Sequence, residues 1–236
     1  NGDNYGIEIR GELPEGVEVF YTLTEATLPG EYYIQVHFEG DQDYYHDIPD
    51  MGAVLTIKPS EASMHFDADE IRVSALDEDF TNPLQYNGDG TVQYQSSEPS
   101  VARVDEAGNV TIISAGKTTI TACASRGTIF DECQASYQLT IDPVSISTGY
   151  TVKPGYTETA FTGSYLKPSM KVTGGGRTLV KGVDYAVSYS KNKNVGTATI
   201  TVRGIGRYTG SKNASFKINP KATSITRIAN LSSRKV

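Results

Sequence analysis

The sequence predicts an all-β chain built from tandem antiparallel β-sandwiches that are arranged end to end. Three observations favour this fold class: one pattern occurs three times, its apolar residues alternate with polar ones, and turn residues separate the short runs. The chain has 236 residues, enough for two domains or three small ones at roughly 100–150 residues per domain. Hydrophobic residues make up 38% and charged residues 21% of the chain, a balance typical of folded proteins.

Each copy of the repeat ends in a short alternating segment that runs into a proline. The segments read LTIKP, LTIDP and FKINP, at residues 55–59, 139–143 and 216–220. Upstream of each ending, a glycine precedes an alternating apolar run, at Gly30, Gly116 and Gly196. Because both signals recur in the same order at similar spacing, we expect three copies of one structural unit.

The prolines divide the chain into residues 1–59, 60–143 and 144–220, which we name the first, second and third units. The first unit is the shortest, so we expect its domain to be truncated at the N-terminus and to lack a strand or two. Residues 221–236 do not complete a fourth unit and are expected to be a linker or the start of another module. Because proline cannot extend a sheet ladder, each boundary is expected to be a short linker.

Period-two alternation predicts the strands themselves. Alternation is clear where Val, Ile, Thr and Tyr suit a half-buried pleated surface, in residues 32–38, 139–142 and 198–203. Turn signals separate such runs, at residues 87–90, 107–109 and 174–176. Residues 60–82 contain no Gly or Pro, so a helix is the rival there, but their apolar residues step by two and favour strands.

Residues 94–122 carry a family resemblance. They contain YQSSEPSVARVD at 94–105, GNV at 108–110 and AGKTTITA at 115–122. This combination resembles the bacterial Ig-like group 2 domain of intimin- and invasin-like surface proteins, with Tyr94 in place of the usual Trp. The resemblance covers most of the second unit and implies that the chain is a row of tandem Ig-like antiparallel β-sandwiches.

The other units resemble related Ig-like repeats. The third unit looks like a repeat common in large surface proteins of Gram-positive gut bacteria, through residues 182–189, 192–198 and 204–210. The first unit looks like a related repeat through the segments LPEGV and GEY and through residues 48–57. Residues 223–228 resemble the opening of a fibronectin-type-III-like module.

These resemblances imply both a function and a location. Such domains are usually stalk or adhesion modules that are exported and anchored elsewhere in the chain. We therefore expect extracellular modules of a cell-surface or secreted protein that space a functional head from the cell wall. Two alternatives stay open: a carbohydrate-binding accessory region of a secreted glycosidase, and a direct adhesin for a host protein.

The composition also favours a chain that is not an enzyme and needs no cofactor. Three histidines, two cysteines and the lack of a Gly-x-Ser-x-Gly motif leave few candidates for catalysis. No apolar run approaches the roughly 20 residues of a membrane span, and the first residues do not resemble a signal peptide. The expected partners are a glycan, a wall polymer or a host surface protein, not nucleic acid, and we expect a monomer.

Cys123 and Cys133 flank a turn candidate at residues 126–128. A symmetric hairpin would place the two side chains within reach of each other, which predicts a structural disulfide. Its small loop would contribute about 2–3 kcal/mol in the chain-entropy account. The alternative is a pair of reduced cysteines in the sandwich, and a metal site is not expected from two cysteines without a nearby histidine.

Loop residues supply the remaining candidate sites. Tyr44, Tyr45 and Tyr208 are candidate ligand contacts, because tyrosine rings stack on sugars and fill partner pockets. The alternative is that these rings fold back and close the end of a sandwich. Clustered acidic side chains are candidate oxygen ligands for calcium, although solvated loops are the simpler explanation. The calcium candidates are Asp67, Asp69, Glu70, Asp77 and Asp79.

Charge divides the chain sharply. Residues 1–58 and 59–142 each carry a net charge of −10, whereas residues 143–236 carry +13. The basic third unit is expected to hold an anionic polymer such as teichoic acid or glycosaminoglycan at low salt, and to release it as salt screens the attraction. The alternatives are that opposite charges help neighbouring units to dock, or that the charges merely keep each unit soluble.

Overall fold

A computed structural model describes residues 10, 12–23, 25–40 and 49–223. Within these ranges every helix or strand is a β-strand, so the predicted all-β fold of tandem Ig-like sandwiches is confirmed. A helix long and apolar enough to cross a membrane is likewise missing from the described residues. Every sheet takes its strands from one predicted unit, while the unit boundaries themselves stay a prediction.

The described residues of the first unit form one three-stranded antiparallel sheet in the order β1-β2-β3. Its strands are β1 (Glu18–Tyr21), β2 (Gly30–Glu39) and β3 (Met51–Ile57). β2 is the middle strand, and its alternate residues Ile34 and Val36 are buried, as the period of two predicts. Tyr33 lies on the opposite face of β2 and is exposed.

The second unit is a sandwich of nine strands. They are β4 (Met64–Phe66), β5 (Glu70–Ser74), β6 (Phe80–Thr81), β7 (Leu84–Tyr86), β8 (Val92–Ser96), β9 (Ala102–Val104), β10 (Asn109–Ile112), β11 (Gly116–Ala124) and β12 (Cys133–Asp142). A four-stranded sheet, β5-β12-β11-β8, packs on a three-stranded sheet, β6-β10-β9, and β4 pairs with β7. The fully buried core includes Val110, Ile112, Ile120, Leu139 and Ile141. Strands β4, β5 and β6 confirm the prediction of strands for residues 60–82.

The third unit is also a sandwich of nine strands. They are β13 (Val144–Ser145), β14 (Tyr150–Pro154), β15 (Glu158–Ala160), β16 (Met170–Gly174), β17 (Arg177–Thr178), β18 (Tyr185–Ser190), β19 (Gly196–Gly204), β20 (Tyr208–Thr209) and β21 (Ser211–Asn219). Its sheets have the orders β15-β21-β19-β18, β14-β16-β17 and β13-β20. The fully buried core includes Val172, Ile200, Val202, Phe216 and Ile218.

The repeated sequence pattern corresponds to the same two strands in every unit. Gly30, Gly116 and Gly196 each begin an interior strand, β2, β11 or β19, and the alternating endings form the neighbouring strands β3, β12 and β21. The φ angles of Gly116 and Gly196 are +154° and +136°, which L side chains rarely adopt. A Cβ on Gly116 would also lie 2.7 Å from a methyl carbon of Val101. In the second and third units, the backbone conformation at this position therefore explains why the recurring residue is a glycine.

Both four-stranded sheets depart from the purely antiparallel arrangement that the sequence predicts. β5 runs parallel to β12, and β15 runs parallel to β21. A parallel pair needs a long connection, and here the chain passes through the rest of the sandwich between the two strands. Side chains alternate with a period of two in both kinds of strand, so the pattern does not distinguish them.

Candidate functional site

The second and third units are in direct contact, and the contact has an apolar centre. Leu76 lies in the turn that follows β5 and packs against the buried cluster of the third unit. That cluster includes Ile146, Tyr150, Val172 and Tyr208. We call this contact the joint. On the side of the second unit it consists of Leu76 and residues 112–115, and on the side of the third unit it consists of this buried cluster and residues 206–207. An apolar side chain of one unit thus extends the core of the next.

Hydrogen bonds flank this apolar contact. The backbone N–H of Ala115 donates to the carbonyl oxygen of Gly206 over 3.2 Å. Arg207 Nε donates to the carbonyl oxygen of Ile113 over 3.2 Å, and Arg207 Nη2 donates to that of Ile112. A typical protein hydrogen bond contributes about 0.5–1.5 kcal/mol, and one with a charged donor contributes more. Three bonds therefore reinforce the apolar contact.

The second unit itself holds the segment that Arg207 contacts. Asp79 Oδ1 accepts the N–H of Ile112 over 3.1 Å. The N–H of Ile113 donates to the carbonyl oxygen of Val101 over 3.0 Å. Because its N–H groups are occupied inside the second unit, this segment presents its carbonyl groups to the arginine.

The turn that carries Arg207 connects β19 to β20. The N–H of Tyr208 donates to the carbonyl oxygen of Ile205 over 3.1 Å, which closes the turn. Gly206 has a φ of +65°, in the left-handed region that favours glycine. The sequence does not single out Leu76 or Arg207, because one leucine and one arginine in turns carry no periodic signal.

A cavity of about 390 Å³ adjoins the joint. Its lining includes Leu76, Ile113 and Arg207 from the joint, together with Arg177 and Asp184 of the third unit. Since Leu76 and Arg207 make the contact between the units through their side chains and Ile113 makes it through its main-chain carbonyl, we interpret the cavity as incomplete packing at the joint.

The predicted disulfide is wrong, because Cys123 and Cys133 are both free. In the hairpin of β11 and β12, Cys123 lies opposite Gln134, and Cys133 lies opposite Ala124. Side chains alternate between the faces of a sheet, so this offset of one residue directs the two thiols to opposite faces. Ala124 is buried on the core face, whereas the Cys123 thiol lies 3.9 Å from Gln134 Oε1 on the outer face.

A carboxylate holds the loop between the two cysteines. Asp89 accepts the N–H groups of Thr128, Ile129 and Phe130 over 2.8, 2.9 and 3.2 Å. These bonds, led by that of Ile129, hold the pKa of Asp89 below its ordinary value of 3.8. A Cβ on Gly127 would lie 1.8 Å from the Asp89 carboxylate, so the loop requires a glycine there.

The predicted tyrosine contacts have different outcomes. Tyr44 and Tyr45 lie outside the described residues. Tyr208 is 5% exposed in the core of the third unit, so its prediction as a ligand contact is wrong and the alternative, a ring that fills the sandwich, describes it. Its ring meets that of Tyr150 edge to face, with 5.8 Å between centroids. Burial raises the pKa of Tyr208.

Three of the five calcium candidates make separate local contacts. Asp77 accepts a hydrogen bond from its own turn, Asp79 supports the joint, and Asp67 accepts one from a glutamine. Asp69 and Glu70 are exposed. In the part of the chain that the structure describes, no group of three or more His, Cys, Asp or Glu side chains is placed to hold a metal ion.

A family comparison matches residues 85–126 to the family described as "Intimin, immunoglobulin-like domain". The match overlaps the segment whose motifs resemble bacterial Ig-like domains, so this coarser resemblance is confirmed. It covers a minority of the chain, within the second unit. A search of the curated proteins finds no match.

Three solved structures that resemble the chain share little sequence with it. Domains 4–9 of the surface layer protein SbsC are 13% identical with a TM-score of 0.31, over 92% of this chain and 42% of that one. Drosophila N-cadherin EC1-3 is 10% identical with a TM-score of 0.37, over 93% of this chain and 95% of that one. A SusE-like surface located polysaccharide binding protein from the Bacteroides thetaiotaomicron heparin utilisation locus is 12% identical with a TM-score of 0.26, over 87% of this chain and 55% of that one. The chain spans less than half of the SbsC structure, and no function follows from these likenesses.

Proposed function

We propose that this chain is a row of non-catalytic stalk or adhesion modules of a bacterial cell-surface or secreted protein, where it spaces a functional head from the cell wall. The modules are residues 1–59, 60–143 and 144–220 in this proposal. The second is an Ig-like domain of group 2 type, and its neighbours are related repeats of Gram-positive surface proteins. The chain lies outside the cell, where its partner is a glycan, a wall polymer or a host surface protein.

The joint is the observation that supports the spacer role. A spacer holds two points apart only if the connections between its modules resist bending. Pro143 is the single residue between β12 and β13, and its ring restricts the backbone there. Leu76 packs into the third unit and Arg207 bonds back to the second. Contacts in both directions therefore limit hinge motion between these two modules.

A distance measurement between the second and third units tests this role. Spin labels are placed at Lys117 and Ser215, which are both exposed, after Cys123 and Cys133 are replaced by alanine. We expect double electron–electron resonance to give one narrow distance distribution. A distribution as broad as that of two freely hinged domains would contradict the spacer role.

Variants at the joint make the measurement specific. Leu76→Ser combined with Arg207→Ala removes the apolar contact and two of the three hydrogen bonds, and should broaden the distance distribution. Arg203→Ala is the matched control, because Arg203 is an exposed arginine of β19 outside the joint. The control should keep the narrow distribution.

A further inference from the structure

A cleft lies at the end of the third unit that is remote from the joint. The turn between β18 and β19, residues 191–195, and the side chain of Tyr165 form a cleft of about 550 Å³. β19 begins at this turn and leads at its other end toward Arg207 in the joint. A strand of this length, 9 residues, spans roughly 30 Å at about 3.3 Å per residue. Contact with the second unit therefore leaves the cleft open.

Asn192 builds the cleft. It is 5% exposed, and its side-chain amide donates to the main-chain carbonyl oxygen of Leu166 over 2.8 Å. The main-chain carbonyl oxygen of Asn192 in turn accepts the N–H of Leu166 over 2.8 Å. These two bonds attach the turn to the segment that carries Tyr165. Lys191, beside the asparagine, has a φ of +55°, a left-handed conformation that is rare for lysine. The cleft is thus held in shape without a ligand.

The groups that the cleft presents are one aromatic ring and two ammonium groups. Tyr165 is 67% exposed, and the Lys193 ammonium nitrogen lies 5.3 Å from the centre of its ring. Lys191 lines the same cleft, and the lining contains no carboxylate. Residues 143–236 carry only two acidic residues, so the cleft lies within a strongly positive field.

We propose that this cleft binds an anionic polysaccharide. A sugar ring lies with its C–H face against Tyr165, and a sulfate or carboxylate group accepts hydrogen bonds from the ammonium groups of Lys191 and Lys193. A neutral glycan would leave both ammonium groups without a counter-charge, and an acidic peptide without rings would not use the tyrosine. This proposal rests on the glycan partner of the proposed function and specifies its chemistry. It does not depend on the joint, so the spacer role and the binding of a polysaccharide can be refuted independently of each other.

Calorimetric titration of the whole chain with size-defined heparin oligosaccharides at low ionic strength tests the proposal. Tyr165→Ala should weaken binding by about ten-fold, the loss that follows from about 1.4 kcal/mol of contact energy. The double variant Lys191→Asn, Lys193→Gln should weaken it by at least about ten-fold, and asparagine tolerates the left-handed backbone at position 191.

A matched double variant separates the cleft from general charge attraction. Lys153 and Lys171 are exposed cross-strand neighbours on β14 and β16, so Lys153→Gln with Lys171→Gln removes the same charge from the same unit. We expect this control to keep most of the affinity. Three results would overturn the proposal: no heparin binding, equal losses in both double variants, or binding of poly-glutamate at the same affinity without any dependence on Tyr165. Circular dichroism confirms that each variant is folded.

Discussion

In the second unit, the long antiparallel pair of β11 and β12 buries Ile120 and Ala122, and in the third unit the matching pair of β19 and β21 buries Ile200 and Val202. The strand order around the two pairs is the same, β5-β12-β11-β8 and β15-β21-β19-β18. The smaller sheets differ: β4 and β7 are antiparallel, whereas β13 and β20 are parallel. The net charges of the surrounding chain are opposite. The shared sheet therefore depends on inward side chains and tolerates either surface charge.

One equivalent position shows how far the two cores diverge. Thr118 and Ala198 each lie two residues after the repeat glycine, and both are buried. The Thr118 hydroxyl accepts the N–H of Glu98 over 3.0 Å and lies 2.9 Å from Ser96 Oγ. Ala198 belongs to an apolar cluster. The motif that resembles the bacterial Ig-like domain thus closes a polar network in the second unit, and the third unit replaces that network with apolar packing.

The largest expected effect comes from the part that the two units share. Ile120 and Ile200 are 1% and 0% exposed, so replacing either with alanine should lower the free energy of unfolding of its own unit by about 2–5 kcal/mol. Chemical denaturation followed by circular dichroism measures this loss. If one substitution were costly and the other neutral, the two sheets would not be equivalent.

A smaller effect should come from the position where the cores differ. Thr118→Ala removes the hydroxyl that accepts the N–H of Glu98, which keeps only its longer bond of 3.3 Å to Ser96 Oγ, and should destabilise the second unit by about 0.5–1.5 kcal/mol. The reciprocal change, Ala198→Thr, buries a hydroxyl in an apolar cluster and should destabilise the third unit by about 1–3 kcal/mol. Denaturant midpoints measure both losses. Neutral results for the pair would show that the polar network is unimportant.

Tyr137 offers a change of opposite sign. It lies opposite Ile120 on β12, where the third unit has Ala214 opposite Ile200. Its hydroxyl is buried without a hydrogen-bond partner, and burial raises its pKa to about 12. Tyr137→Phe should keep the ring contact with Phe66, remove the unpaired hydroxyl and leave stability unchanged or raised by about 1 kcal/mol. A clear loss of thermal stability would contradict this account.

The weakest expected effect is a difference in acid sensitivity. Hydrogen bonds lower the pKa values of Asp89 and Asp105, led by the N–H of Ile129 and the side chain of Asn109. A carboxyl group with a lowered pKa in the folded state stabilises the fold above its unfolded value, here 3.8, and this stability is lost as pH falls through the lowered pKa. The melting temperature of the second unit should therefore fall below about pH 4 more than that of the third. Asp89→Asn should reduce the difference, and the same fall in both units would refute it.

The strands could be predicted because alternation is a local property of the chain. Residues 198–203 show which side chains face inward without any knowledge of the partner strand. The recurring glycines and the alternating endings likewise indicated three related pairs of strands. The parallel pairing of β5 with β12 could not be predicted in this way, because it depends on how distant strands meet.

The disulfide prediction failed at the level of register. Cys123 and Cys133 do lie on neighbouring strands, as the hairpin predicts, but the pairing is offset by one residue. Such an offset reverses the face on which a side chain lies, and spacing along the chain does not determine it when the loop is irregular. The prediction that Tyr208 contacts a ligand failed for a related reason, because the side chain of a residue between glycines can point into the sandwich as well as out of it.

The amino-acid sequence by itself determined the all-β class, the repeating pair of strands and the division of charge, because each follows from the order of side chains along a short stretch. Only the tertiary structure decided which face each cysteine occupies, that Leu76 enters the core of the next unit, and that Tyr165 meets Lys193 in an open cleft. Arg207 and the carbonyl of Ile113 lie 94 positions apart along the chain. Contacts at that separation depend on strand register and on how the units pack, and no local pattern encodes either.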